Sequence, residues 1–188
     1  MEENKVQQTK LLKHLSNVHP CFAVDKKLNS ARLHLPVCPQ CNIRCNFCIR
    51  SLNNDEDRPG VAMKIINPEN SVQIVQKALA VCPELKVIGI AGPGDSLVTD
   101  NALQAFALLQ KADFGLMFCL STNGLLLADK AEALAAVGVK SLTVTVNAVQ
   151  PEIQQKICGE VFYDGVRYTG YAAAEKLIER QRAGIKKA

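Results

Sequence analysis

Three cysteines, Cys41, Cys45 and Cys48, lie within eight residues of the sequence, and Cys38 comes just before them. Thiols at this density could bind zinc, form disulfides or hold an iron–sulfur cluster. Structural zinc sites usually take two CxxC-like pairs separated by a dozen or more residues, whereas only three residues separate Cys41 from Cys45. The C-x2-C-x2-C run of bacterial ferredoxins also differs from the spacing found here.

The spacing that remains, C-x3-C-x2-C counted from Cys41, favours a [4Fe–4S] cluster with one open iron. Three thiolates would bind three irons of the cube, and the fourth iron would have no protein ligand. An open coordination position is typical of a catalytic metal site, and a closed one of a structural site. A zinc-binding structural module is the alternative outside enzymes.

The composition indicates one globular domain. The chain has 188 residues, of which 48% are apolar and 21% are charged. The net charge of +4 is too small and too scattered to predict binding to nucleic acid. The sequence has no apolar run of membrane-spanning length and begins with a polar stretch, so we expect a cytoplasmic protein without membrane contact. In that compartment the eight cysteines would stay reduced.

The chain alternates between predicted strands and helices. The strands are nearly continuous apolar runs, a pattern typical of a parallel sheet covered by helices. The fold class is therefore α/β, a partial (β/α) barrel with about four parallel strands. We predict strands over 32–37, 86–91, 116–120 and 141–146, and helices over 9–17, 67–81, 99–111, 128–136, from Pro151 onward, and over 172–182.

The predicted elements divide the chain into a lead-in and a core. Residues 1–30 form a lead-in that carries the sequence HPC, and residues 31–188 form the barrel core. A closed eight-stranded barrel takes roughly 250 residues, so the core corresponds to about the first half of one. We expect either a fragment or an unusually short form.

Four polar loops follow the four predicted strands. Because the carboxyl ends of parallel strands meet at one edge of the sheet, we expect these loops to form one site. The turn Gly92-Pro93-Gly94 lets the backbone approach a ligand closely, although a tight strand-to-helix connection would have the same sequence. The loops are the cysteine loop, IAGPGDSL (90–97), STNGL (121–125) and NAVQPE (147–152).

The cysteine spacing, its place after the first strand and Phe47 before the last cysteine resemble the signature of the radical S-adenosylmethionine (SAM) family. Within it, further segments are similar, in the same order, to the NifB family of nitrogenase cofactor-assembly proteins. They are HPC (19–21), ARLHLPV (31–37), RPGV (58–61), IAGPGDSL (90–97), CLSTNGL (119–125), TVTVNAVQPEI (143–153) and YDGVRYTG (163–170).

The resemblance implies a radical SAM barrel and roles for particular residues. The [4Fe–4S] cluster on Cys41, Cys45 and Cys48 would reductively cleave SAM. Additional clusters, which become the product, would be held by Cys21, Cys119 and His19. The implied SAM-binding residues are Phe47 near the adenine, Asp95 at the methionine ammonium, and Gly92, Gly94, Thr122, Asn123, Thr145 and Asn147.

The resemblance also implies a reaction and partners. SAM would donate a methyl group to an iron–sulfur precursor and then supply the radical that leads to an interstitial carbide, a step in the biosynthesis of the iron–molybdenum cofactor for nitrogen fixation. The implied partners are iron–sulfur donor proteins, cofactor carrier proteins, and an electron donor such as ferredoxin or flavodoxin.

The chain departs from the NifB pattern in the part that would hold the substrate clusters. The family continues CNR after the last cysteine and has a further cysteine before RPGV, whereas this chain has Ile49 and Arg50 followed by SLNNDED. A family histidine is replaced by Lys26 or Lys27, and a later CxxC segment is absent. The departures keep open a NifB-like paralogue with a different substrate.

The remaining thiols and histidines are expected to be structural. Cys38 is a spare thiol, Cys82 lies at a helix end before a proline, and Cys158 is predicted on a late helix as a packing residue. His34 alternates along the first strand and is assigned a structural role.

Overall fold

The structure is a computed structural model that describes residues 19–22, 29–49, 51–52 and 61–188. The helix predicted for 9–17 lies outside these residues. The strands are β1 Ala31–His34, β2 Ile43–Cys45, β3 Ser51–Leu52, β4 Val61–Ala62, β5 Leu85–Ile90, β6 Met117–Thr122, β7 Val139–Val144, β8 Cys158–Tyr163 and β9 Val166–Thr169. The α-helices are α1 Ser71–Val81, α2 Asn101–Ala112, α3 Leu127–Ala136, α4 Pro151–Ile157 and α5 Gly170–Lys187, and short 3-10 turns cover Pro20–Phe22 and Pro68–Asn70.

The main sheet has four parallel strands in the order β1-β5-β6-β7. The order of these strands in the sheet is the same as their order in the chain. The helices α1, α2 and α3 directly precede β5, β6 and β7, respectively. This arrangement confirms the predicted α/β fold with four parallel strands, and it is that of part of a (β/α) barrel. The carboxyl ends of all four strands therefore lie along one edge of the sheet.

The predicted helices and main strands agree with the structure to within a few residues. The last helix is longer than predicted and runs over Gly170–Lys187. Its buried stripe, which begins at Ala173, continues as far as Gly184, so packing extends the helix beyond its most apolar part.

A second, antiparallel sheet was not predicted. It consists of β2, β8 and β9, and it joins the cysteine loop to the end of the chain. Asp164 and Gly165 connect β8 to β9 with φ angles of 51° and 74°, as a tight hairpin of the Asp-Gly kind requires. The assignment of Cys158 to a helix is wrong: this residue ends α4 and begins β8, where it pairs with Cys45 of β2. Its packing role is correct, because its side chain is buried.

The apolar core lies between the main sheet and its helices. Phe106 of α2 stacks on Phe118 of β6 with ring centroids 4.9 Å apart and an angle of 18° between the ring planes. Val75 of α1 and Ile88 of β5 are buried in the same core. In the described ranges, no helix is long and apolar enough to cross a membrane.

The core predicts that Phe106→Ala destabilises the chain by about 3 to 5 kcal/mol, because it removes a fully buried ring and leaves a cavity. Chemical denaturation followed by circular dichroism measures the change. Leu108→Ala on the same helix is the control, since Leu108 is 37% exposed and its removal should cost much less. Equal losses for the two variants would contradict the assignment of Phe106 to the core.

Candidate functional site

The four loops that follow the parallel strands meet at one edge of the main sheet, as predicted. Hydrogen bonds connect the cysteine loop to the loop after β5, and the loop after β5 to the end of β6. The Thr145 N–H, just after β7, donates to the Thr122 carbonyl at 2.9 Å. Residues from distant parts of the sequence thus form one continuous polar rim.

The cysteine loop lies directly against the Gly-Pro-Gly turn. The Gly94 N–H donates to the Cys38 carbonyl at 2.6 Å, and the Asp95 N–H donates to the Gln40 carbonyl at 2.8 Å. A Cβ at Gly94 would collide with the Gln40 backbone. Gly94 is therefore required for this contact between the two loops, a reason that the sequence did not indicate. Gly92 has a φ of 131°, which favours glycine.

Asp95 is the centre of the rim. Its side chain is 5% exposed and accepts hydrogen bonds from the Leu97 N–H (3.0 Å), the Thr122 hydroxyl (2.9 Å to Oδ2) and the Asn123 N–H (2.6 Å). Burial raises the pKa of Asp95, and the hydrogen bonds from Asn123, Leu97 and Thr122 oppose this effect. The carboxyl group thereby fastens the loop after β5 to the end of β6.

Asn123 extends the same network to the cysteine loop. Its Nδ2 donates to Asn42 Oδ1 at 2.8 Å and lies 3.9 Å from Cys41 Sγ, within hydrogen-bonding range for sulfur. Its Oδ1 accepts from the Leu125 N–H at 2.9 Å. Asn42 was not singled out in the sequence, and its position between two of the cysteines is the signal that could have identified it.

The three thiols of the C-x3-C-x2-C loop fit the ligand set of an iron–sulfur cluster. Cys41, Cys45 and Cys48 form no disulfide and are half-buried, and the Cys48 N–H donates to the Cys45 carbonyl at 3.2 Å. All eight cysteines lie in described ranges, and none of them forms a disulfide in the structure. Within those ranges, no three His, Cys, Asp or Glu side chains surround a site for a single metal ion. A cubic cluster instead takes one thiolate on each bound iron.

Two other thiols lie beside the loop but differ in environment. Cys38 is 1% exposed, and burial raises its pKa to about 12, so it stays protonated and unreactive, in agreement with a spare thiol. Cys158 accepts a hydrogen bond from the Cys45 thiol. This bond raises the pKa of the donor Cys45 and lowers that of the acceptor Cys158.

A second group of candidate ligands lies on the face of the main sheet that is turned away from the helices, which we call the inner face. His34, Gly89, Cys119 and Ser141 pair in sequence across the four strands. A Cβ at Gly89 would collide with the His34 ring, so Gly89 provides the space in which that ring lies. Burial raises the pKa of the Cys119 thiol, and a hydrogen bond with Ser141 opposes the effect.

His19 and Cys21 lie against the same face of the sheet. The Cys21 N–H donates to His19 Nδ1 at 3.3 Å, and Arg32 Nη1 donates to Cys21 Sγ at 2.7 Å. Arg32 also connects this group to the sheet, because its Cδ lies 3.6 Å from the Cβ position of Gly89, the residue that pairs with Cys119 of β6. Burial lowers the pKa of His19, with a further contribution from Arg32, so its imidazole is held neutral, the form that can bind a metal. The structure thus brings the three candidate ligands of additional clusters into one region.

The remaining predicted SAM-binding residues are at the solvent side of the rim. Phe47 follows β2 and is 67% exposed, and Thr145 and Asn147 follow β7 and are also exposed. These three side chains are accessible to a ligand.

The network around Asp95 predicts that Asp95→Asn lowers the free energy of unfolding by about 2 kcal/mol. The backbone N–H groups of Leu97 and Asn123 donate to the two carboxylate oxygens, and in the variant one of these N–H groups would face the amide NH2, which cannot accept a hydrogen bond. Urea denaturation monitored by circular dichroism measures the change. Asp100→Asn is the control: Asp100 forms an exposed ion pair with Lys130, and its loss should cost no more than about 1 kcal/mol. If the free energy of unfolding fell no more in Asp95→Asn than in Asp100→Asn, the role of Asp95 in joining the two loops would be contradicted.

Comparisons with known proteins point to one superfamily. A family model described as the radical SAM superfamily matches residues 35–180. The chain is 44% identical over 190 residues to the FeMo cofactor biosynthesis protein NifB of Methanocaldococcus jannaschii, covering 100% of this chain and 62% of that protein. It is 45% identical over 177 residues to the NifB of Methanocaldococcus infernus (93% and 59%) and 40% identical over 181 residues to that of Klebsiella pneumoniae (95% and 39%).

The chain therefore spans less than two thirds of the length of these curated relatives. The family match covers every loop of the rim, including the three cysteines, the Gly-Pro-Gly turn and the strand ends after β6 and β7. Radical SAM enzymes use a [4Fe–4S] cluster and SAM, and the thiols described above fit that cluster. The chain belongs to the radical SAM superfamily.

Proposed function

We propose that this chain carries the SAM-cleaving site of a NifB-type enzyme of FeMo cofactor biosynthesis. The observation that carries the proposal is the junction of three loops at the rim: the cysteine loop, the Gly-Pro-Gly-Asp loop and the Ser-Thr-Asn-Gly loop are joined by hydrogen bonds through Asp95 and Asn123. The similarity to NifB proteins over the length of the chain supports the choice within the superfamily.

Cys41, Cys45 and Cys48 would hold the [4Fe–4S] cluster. A reduced cluster held there together with SAM would supply the electron for reductive cleavage of the C–S bond, with methionine and a 5′-deoxyadenosyl radical as the products. The Asn123 amide near Cys41 Sγ would donate to the ligating thiolate, which stabilises its charge and orients the side chain. Asn42 in turn fixes the orientation of that amide.

The rim residues would bind SAM around this point. Gly92 and Gly94 allow the turn the conformation in which it packs against the cysteine loop. The buried Asp95 carboxyl group already accepts from Leu97, Thr122 and Asn123, so it would act on the methionine ammonium through its negative charge and by holding the loop ends that bind SAM. The exposed side chains of Thr145 and Asn147 would offer a hydroxyl and an amide group to the methionine and the ribose. Thr122 and Asn123 are buried and already hydrogen-bonded, so they would hold the loop after β6 against SAM rather than offer their side chains to it. The exposed ring of Phe47 would cover the adenine, since aromatic rings stack on flat heterocycles.

The group on the inner face of the sheet would bind the iron–sulfur precursor as substrate. Cys21 and Cys119 would supply thiolates, and His19 would supply a neutral imidazole. Arg32, which donates to Cys21 Sγ, would offset the negative charge of a thiolate-bound cluster. Methylation of this precursor and insertion of the carbide would follow at the junction between this group and the rim.

The reaction requires partners that deliver electrons and clusters. Reductive cleavage of SAM consumes an electron from outside the chain, which a cytoplasmic ferredoxin or flavodoxin would supply. Iron–sulfur donor proteins would provide the precursor, and a cofactor carrier protein would take the product.

One observation favours a second candidate, a NifB-like paralogue with a different substrate. The sequence after Cys48 continues with Ile49 and has no cysteine in SLNNDED, where NifB proteins have a further candidate ligand. This alternative keeps the SAM-cleaving site and changes only what the radical attacks. The number of irons bound per chain separates the two candidates.

The SAM-cleaving site predicts that the anaerobically reconstituted chain forms 5′-deoxyadenosine from SAM when dithionite is present. Cys45→Ala should reduce the rate by at least about a hundred-fold, because the cluster loses one of its three thiolates. Cys82→Ala is the matched control, since Cys82 caps the end of α1 and should leave the rate unchanged. Product quantified by chromatography and mass spectrometry tests both. A wild-type chain that binds the cluster but forms no product would contradict the proposal.

The NifB assignment predicts that reconstituted wild-type protein holds more iron than one [4Fe–4S] cluster requires. Cys119→Ala should lose the additional iron and keep the cleavage of SAM, because Cys119 lies in the second group of ligands. Iron and sulfide analysis per chain measures the difference. An iron content of about four per chain in both proteins would favour the paralogue instead.

A further inference from the structure

A buried glutamine in the last helix connects the ends of two sheet strands. Gln181 of α5 is 4% exposed. Its Nε2 donates to the Asn123 carbonyl at 2.7 Å and to the Thr145 carbonyl at 3.0 Å. A single side-chain amide thus joins the loop after β6 to the loop after β7.

The backbone around Gln181 is packed too closely for this contact to be incidental. Gly124 has a φ of 84°, and a Cβ there would lie 2.7 Å from Val144 Cγ1 and 3.0 Å from Gln181 Cγ. One turn further along α5, a Cβ at Gly184 would lie 2.7 Å from Leu127 Cβ. Two glycines therefore allow α5 to approach the loop after β6 and the start of α3.

The two acceptors belong to residues that the site uses. Asn123 carries the amide that contacts Asn42 and Cys41 Sγ, and Thr145 is one of the proposed SAM-binding residues. The bond from the Thr145 N–H to the Thr122 carbonyl is the last backbone link between the two strand ends. Gln181 supplies the next link between these two loops. Without its side-chain amide, the carbonyls of Asn123 and Thr145 would each lose a hydrogen-bond donor.

We infer that Gln181 is a positioning residue for SAM binding, which fixes the separation between the loop after β6 and the loop after β7. The inference rests on the proposed assignment of these loops to SAM. Gln181 acts through Asn123 and Thr145, and α5 thereby becomes part of the site although it contributes no ligand to it.

Gln181→Met tests the inference, because methionine has nearly the same shape and length but cannot donate a hydrogen bond. We expect the KM for SAM to rise about ten-fold, as the loss of two modest hydrogen bonds at a binding site allows, and kcat to stay within about three-fold. Gln110→Met is the control: Gln110 Nε2 also donates to a backbone carbonyl, that of Ala136, and it lies at the end of α2 away from the rim.

The separation of KM from kcat distinguishes positioning from a loss of folded protein, because unfolding lowers the apparent kcat and leaves the KM of the folded fraction unchanged. A KM for Gln181→Met equal to that of Gln110→Met would overturn the inference, whatever the effect on kcat.

Equilibrium dialysis of labelled SAM against the reconstituted proteins measures the same contrast without turnover. Wild-type protein that binds SAM but does not cleave it would sink the proposed function, while a weaker affinity of Gln181→Met would still support the inference. Equal affinities of Gln181→Met and the wild-type protein for SAM would overturn the inference and leave the proposed function unaffected. Wild-type protein that does not bind SAM would contradict both.

Discussion

The site depends on one buried carboxyl group. Asp95 accepts hydrogen bonds from its own loop and from the end of β6, and it draws together segments that are 28 residues apart in the chain. Burial disfavours the charged form of this carboxyl group and raises the pKa of Asp95, even though three groups donate hydrogen bonds to it. Such an arrangement persists only where the surrounding structure maintains it, and here the strand ends and the Gly-Pro-Gly turn do so. Each further contact of the rim, from Asn123 to Asn42 and Cys41, starts from the geometry that Asp95 sets.

The two faces of the main sheet carry different kinds of side chain. One face packs Phe118 and Ile88 against the helices and forms the core, while the other presents Cys119 and His34 with His19 and Cys21 nearby. Because successive residues of a strand point to opposite faces, a strand such as β6 serves both at once. In the proposed function, a radical formed at the rim would act on a precursor held on this face.

Local patterns in the sequence were sufficient for the main sheet and its helices. Continuous apolar runs such as 85–90 and the helical spacing of 101–112 carry their own signal, and the order of strands follows from their alternation with helices. The hairpin of β8 and β9 was missed because its only strong local signal is Asp164-Gly165, and β2, its partner strand, lies within the cysteine loop.

Contacts between distant residues leave no local pattern and could not be predicted. The approach of Gly94 to Gln40 and the two hydrogen bonds of Gln181 depend on how the loops and α5 pack in three dimensions. The candidate ligands themselves were found by spacing and by resemblance, since thiols at fixed intervals are visible in one dimension. What the structure adds is the set of amides, carbonyls and glycines that hold them in place.

The proposed site requires that Cys41, Cys45 and Cys48 hold a cluster with one iron open to SAM. Electron paramagnetic resonance of the reduced, reconstituted chain tests it most directly, with SAM labelled by 15N at the methionine amine and 17O at its carboxylate. We expect SAM to change the spectrum of the reduced cluster and both labels to show hyperfine coupling to it. An unchanged spectrum without coupling, at SAM concentrations that saturate binding, would show that no iron of the cluster is open to SAM.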